Sequence, residues 1–168
     1  MSWLIILVFV NIFSKAGLAH FENLISSVVA FVFFLPLLVD SGGNAGAQSA
    51  TLVIRSMALG ELSSKDFIKA IFKELSVSML LGITMGIAVF VLGTIRSNIL
   101  IGFIVLLSMI TIITVSSLIG IILPFLFEKF GMDPAVASGP LITFLADILG
   151  IILYLNVASS LIKLFNYR

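Results

Sequence analysis

Cysteine is absent from this 168-residue chain, which removes disulfides, thiol nucleophiles and thiolate metal sites together. Charge is scarce, with Asp, Glu, Lys and Arg making up 10% of residues, where a soluble domain carries about a quarter. Histidine occurs once, as His20, beside Glu22 in "HFEN", a stretch that suits a short exposed turn. No serine stands in a nucleophile motif with it. The net charge of +1 gives no reason to expect a nucleic acid or other polyanionic partner. The opening "MSWLIILVFV" has no basic run ahead of its apolar residues, so it reads as a membrane helix rather than a cleaved signal. Low-complexity tracts and internal repeats are also missing.

What remains is apolar. Hydrophobic residues make up 61% of the chain and the mean hydropathy is +1.31. A bilayer crossing takes about 20 apolar residues, so the chain has length for several crossings and none for a separate soluble domain. The spacing of charged residues places the spans at about 3–19, 24–39 continuing past a glycine break to about 60, 75–95, 98–127 and 134–162. This is an all-α, polytopic protein of five transmembrane helices, a single membrane domain over 1–168 in contact with the lipid bilayer. Lys15, near the end of the first span, can snorkel to the interface.

Five crossings put the termini on opposite sides. The longest hydrophilic connection, "ELSSKDFIKAIFKE", holds Lys65, Lys69 and Lys73, and the positive-inside rule assigns it to the cytoplasm. Five Lys and Arg then lie inside and four outside. The N-terminus is cytoplasmic and the C-terminus outside, in the plasma (inner) membrane. Ser63 and Asp66 form a helix-start box, and Phe67, Ile68, Ile71, Phe72 and Leu75 share one face, as expected of a short interfacial helix running into the third span. In "GMDPAVASGP", Asp133 suits an N-cap and Pro134 the first helical position. Small residues recur four apart at Ala135/Gly139, Ala146/Gly150, Gly82/Gly86 and Ser116/Gly120, a spacing that permits close helix packing in lipid.

Asp147, in "LITFLADILGIILY", is the only ionisable group between Asp133 and Lys163. It lies about 20 Å along a helix from Asp133, near the bilayer middle, where a charge costs about 2.5–3.5 kcal/mol on insertion scales. Gly139, Thr143, Asp147, Gly150 and roughly Tyr154 fall on one stripe of that helix. In "DSGGNAGAQSATLVIRS", residues Asn44, Gln48, Thr51 and Arg55 line another. Two polar faces in so apolar a chain are explained by a shared aqueous path; the bland alternative is an interhelical hydrogen-bond cluster in which Asp147 is protonated or bonded to Asn44 or a hydroxyl. Asp40, between Pro36 and two glycines, caps the expected break or sits at a pore mouth. Asp133 reads first as a cap.

One carboxylate with amides, hydroxyls and carbonyls offers hard oxygen ligands, which favour Mg²⁺, Ca²⁺, Mn²⁺ or an alkali ion. Twofold pairing would bring two carboxylates to one axis, enough to neutralise a divalent ion. Mg²⁺ keeps much of its water, and its hydrated diameter is on the order of 7 Å, so such a pore needs small side chains; Gly139 and Gly150 fit that need.

"PLLVDSGGNAGAQSATLVIRSMALGEL" (36–62) and "GMDPAVASGPLITFLADILGIILY" (131–154) closely resemble the two signature segments of the MgtE family of magnesium channels, in the expected order, with a five-span layout over nearly the whole chain. The resemblance implies a pore on a homodimer axis, lined by the second and fifth helices. It implies that Mg²⁺ is the transported ion, held chiefly by paired copies of Asp147, with Gly139, Thr143 and Asn44 as neighbours and Asp133 near the cytoplasmic mouth. It also implies a departure: such proteins carry an acidic domain and a paired CBS domain ahead of the first span, and this chain begins at the membrane. A pore domain excised from a longer chain and a short natural form are both compatible with that, and a separate cytoplasmic protein is the candidate regulator. Glycine at 139 leaves only a backbone carbonyl there.

The rival readings are a Mg²⁺ carrier or exchanger coupled to Na⁺ or H⁺, with Asp147 as relay, and an intramembrane aspartyl protease using Asp40 and Asp147. "ADILG" lacks the glycine-rich setting of those proteases. A scaffold role leaves the cost of Asp147 unexplained.

Overall fold

The computed structural model describes residues 30–136 and 139–165; the first expected span and the "HFEN" turn lie outside them. Four long helices follow one another: α1 (Ala30–Ala58), α2 (Phe67–Arg96), α3 (Ile99–Lys129) and α4 (Gly139–Leu164), with 3₁₀ turns at Ser64–Asp66 and Pro134–Val136. All four are long and apolar enough to cross a membrane. The chain is therefore a multi-pass, all-helical membrane protein.

The helix ends follow from local chemistry. Gly60 and Gly131 adopt φ values of 71° and 69°, the left-handed conformation in which a Cβ is penalised. Each closes its helix with a bond from the next N–H back five residues, Glu61 to Ser56 O (2.9 Å) and Met132 to Phe127 O (2.9 Å). The Asp66 carboxylate accepts from the Ser63 N–H at 3.1 Å and the Ser63 hydroxyl at 2.9 Å. These two bonds hold the carboxyl below its usual range. Asn98 opens α3 by accepting the Ile101 N–H at 3.0 Å.

Two expected helix starts take definite bounds. The interfacial stretch from Phe67 is continuous with the third span, as one 30-residue helix. Its root is pinned by an edge-on contact of Phe67 with Phe125, ring centroids 5.1 Å apart. Asp133 and Pro134 start a 3₁₀ turn, Pro134–Val136, rather than the long helix; Asp133 Oδ1 accepts the Ala135 N–H at 2.9 Å.

The larger correction concerns the glycines of α1. The helix runs unbroken through Gly42, Gly43 and Gly46. These residues provide close approach instead of a break. A methyl on Gly42 would lie 3.0 Å from Ser116 Oγ, and one on Gly46 2.7 Å from the Ser116 carbonyl oxygen. A methyl on Gly120 would collide with the Gly46 carbonyl. With no Cβ in the way the backbones of α1 and α3 meet directly, the arrangement small residues permit in lipid.

These contacts also fix direction. Positions 42 and 46 of α1 meet 112 and 116 of α3, so the two helices run parallel. Gly43 meets Thr143, Val39 meets Gly150 and Phe31 meets Tyr154, so α4 runs antiparallel to α1. Gly82 and Gly86 seat α2 antiparallel on Ile110 and Leu106 of α3. Helix α3 is the centre of the bundle, with half of its spanning window buried, against 22% for α2, which keeps Val77, Leu80, Ile87 and Val91 exposed.

Candidate functional site

Helix α1 has two faces. Leu38, Gly42, Ala45, Gly46 and Ser49 are buried toward α3 and α4, whereas Asp40, Asn44, Gln48 and Thr51 are exposed. Asn44, Ala47, Gln48, Thr51 and Leu52 line a shallow groove along the open side. Its carbonyl, amide and hydroxyl oxygens are hard ligands suited to a cation or its water shell. Thr51 donates to the Ala47 carbonyl at 2.8 Å, leaving its own oxygen free to accept. The Asn44 amide donates to Asp40 Oδ2 at 3.4 Å.

Asp147 projects from α4, two turns in from Gly139, about 12 Å along the helix. It is partly exposed, and among the described residues no hydrogen bond engages its carboxylate. Asn44, the partner expected of it in a closed polar cluster, is directed to Asp40 instead. Gly43 clears the space beside Asp147: a methyl there would stand 3.6 Å from Asp147 Oδ1 and 3.1 Å from Thr143 Cγ2. The structure thus brings Asp147 and Thr143 against the glycine-cleared flank of α1, with Asn44 bonded to Asp40.

Gly139, Asp133, Gly150 and Tyr154 stand apart from this cluster. Gly139 has nothing within 4 Å of where a Cβ would be, so it borders open space. Asp133 is exposed and spent on its turn. Gly150 and Tyr154 leave the polar stripe: Gly150 packs on Val39, and Tyr154 is fully buried with its ring edge-on to Phe31 at 5.8 Å. The stripe twists inward beyond Asp147, so Gly150 contributes to the core and not to an open lining. Among the described residues no three His, Asp or Glu side chains converge as a metal cage within one chain.

Sequence reasoning missed two residues. Gly43 is silent because a glycine's contribution here is the neighbour it admits. The second is Glu74, whose Oε1 accepts from the buried Ser49 hydroxyl at 2.6 Å; a serine among glycines and alanines looks like packing, and its partner lies 25 residues away.

Comparison with known proteins gives the family. The MgtE family model, described as a divalent cation transporter, matches residues 35–157. The chain is 35% identical over 163 residues to a magnesium transporter MgtE of Bacillus subtilis and 36% identical over 161 residues to one of Thermus thermophilus, with 96% of the chain aligned in both. It is 33% identical over 166 residues to that of Enterococcus faecalis, with 98% aligned. The chain spans 36–37% of the length of these relatives, which are transporters rather than enzymes. With a family model over most of the described helices and the polar faces of α1 and α4 inside the match, this chain belongs to the MgtE family of divalent cation transporters.

Proposed function

We propose that the protein passes hydrated or partly hydrated Mg²⁺ across the cytoplasmic membrane as a channel, through a pore on a homodimer axis lined by the open faces of α1 and α4. The observation that carries this reading is Asp147: a carboxylate within a spanning helix, partly exposed, not hydrogen-bonded among the described residues, and flanked by a glycine that keeps its side open. A lipid-facing carboxylate would be lost energy with no return. Two copies facing one axis would hold a divalent ion through its water, with Thr143, Asn44 and the backbone at Gly139 as further oxygen donors. Asp40 and Asp133 add negative charge toward the mouths. Lys65, Lys69 and Lys73 favour a cytoplasmic α1–α2 connection, which places the N-terminus inside and the C-terminus outside.

The test is ion flux into liposomes holding the purified protein, comparing Mg²⁺, Ca²⁺ and Mn²⁺ for wild type and Asp147→Asn. Asparagine keeps the shape and removes the charge, so divalent passage is lost while the protein stays folded. Undiminished flux in that variant would remove Asp147 from the mechanism. Mg²⁺ current without any Na⁺ or H⁺ gradient identifies a channel; flux that demands such a gradient identifies the coupled carrier instead.

A further inference from the structure

The glycine-lined crossing of α1 and α3 sets how near the helices come but offers few side-chain steps to set their rotation. Gly46 and Gly120 present backbone to backbone, while Gly42 seats the Ile112 and Ser116 side chains. A directional bond at the same crossing does what a smooth surface cannot. Ser49, one turn beyond Gly46, is 7% exposed, and its Oγ lies 2.6 Å from Oε1 of the half-buried Glu74 and 3.0 Å from the Ala45 carbonyl oxygen. A hydroxyl has one proton to give, and a carboxylate acceptor forms the shorter, stronger bond. The proton therefore goes to Glu74.

Glu74 comes from α2, which packs on α3 and scarcely touches α1 elsewhere. It reaches α1 across a crevice of about 400 Å³ whose lining includes Ser56, Glu61, Lys69 and Lys73. Ser49 also has a second acceptor one turn back in its own helix, so losing Glu74 does not strand a buried hydroxyl, which otherwise carries a penalty. The contact grips the rear of the helix whose front carries Asn44 and Gln48.

We infer that Glu74 is a positioning residue for the ion path: by clamping Ser49 on the rear of α1, it sets the rotation that presents Asn44 and Gln48 to the ion. This rests on the reading that α1 lines the path. It acts through α1 and does not touch the ion.

The test compares wild type, Ser49→Ala, Glu74→Ala, Glu74→Gln and the Ser49→Ala/Glu74→Ala double variant in liposomes, measuring Mg²⁺ uptake per folded protein, half-saturating Mg²⁺ and thermal stability. Loss of a hydrogen bond to a charged acceptor predicts a fall of roughly tenfold in maximal rate for either alanine variant, with half-saturation unchanged and no further loss in the double variant. Glutamine accepts the same bond through its own Oε1, so Glu74→Gln keeps at least half of the wild-type rate. Wild-type rates in Ser49→Ala would overturn the inference, and so would equal damage from Glu74→Gln and Glu74→Ala, or losses that vanish once rates are normalised to folded protein. Should Glu74→Ala not fold, Ser49→Ala and Glu74→Gln decide it alone. Wild-type transport by Asp147→Asn would instead strike the underlying reading of the path, an outcome separate from these.

Discussion

Gly43→Ala separates the folding of α1 from its work on the ion. In a helix interior, alanine gains about 0.5–1 kcal/mol over glycine. Against that, the new methyl would stand 3.1 Å from Thr143 Cγ2, 3.6 Å from Asp147 Oδ1 and 3.7 Å from Thr143 Cα. Carbon atoms prefer about 3.5–4.0 Å, so one γ-methyl must yield by a few tenths of an ångström. Overpacking by a methylene costs about 1–3 kcal/mol, and the low end applies because Thr143 is partly exposed and has room to move. The two terms nearly cancel, and thermal stability should shift by no more than about 1 kcal/mol equivalent. Transport should not be spared. The methyl fills the space that Gly43 leaves beside Asp147, where a hydrated ion on the order of 7 Å across would have to fit. Mg²⁺ flux per folded protein is expected to fall several-fold in Gly43→Ala and further in Gly43→Val. Liposome uptake beside a thermal melt measures both quantities on one preparation. Wild-type flux in both variants would refute the placement of the ion beside Gly43.

The rear face should respond oppositely. Gly46→Ala and Gly120→Ala each drive a methyl into backbone, 2.7 Å from the Ser116 oxygen in the first case, and should cost about 1–3 kcal/mol, read as a lowered melting temperature. Among the described residues the buried Tyr154 hydroxyl has no hydrogen-bond partner, so Tyr154→Phe should leave stability unchanged or raise it by about 1 kcal/mol, against the loss expected of most core changes. The absence of cysteine makes single-cysteine variants clean: Asn44→Cys should form a disulfide between two copies under mild oxidation, whereas Val91→Cys, on the exposed apolar side of α2, should not. Failure of Asn44→Cys to cross-link would weigh against a twofold pore at that face.

Much of this arrangement is legible in the sequence, and the failures share one cause. Charge-free runs mark α2, α3 and α4 because each desolvated charge is expensive in lipid, and that rule acts on one helix at a time. Asp147 stands out for the same reason. The Ser63–Asp66 box is likewise a local interaction. Gly42, Gly43 and Gly46 resist such reading, because a glycine in a spanning helix either loosens the backbone or admits a neighbour, and only the opposite helix decides which. Ser116 and Gly120 lie some seventy residues further along, and their pairing with α1 is set by parallel packing that no periodicity in α1 encodes. Tyr154 fails similarly: an ideal spacing puts it on the Asp147 stripe, while its ring is claimed by Phe31.

The alternation within "SGGNAGAQS" therefore has a physical meaning. Residues 42, 46 and 49 turn to α3, 43 turns to α4, and 44 and 48, with 51 just beyond, stay open, so the same few turns of helix carry the packing surface and the polar lining side by side. Around Gly46, α1 is held by close backbone contact with α3, between the buried side chains of Phe31, Phe34 and Leu38 before it and Val53 after it. Rotation of about one residue's arc, some 100°, would exchange Asn44 for Ala45 at the open side. Even a fraction of that would move the amide oxygens relative to Asp147. The directional Ser49–Glu74 bond is the sort of restraint such a surface needs, which is why Glu74, remote from the open face, is expected to govern transport more than stability.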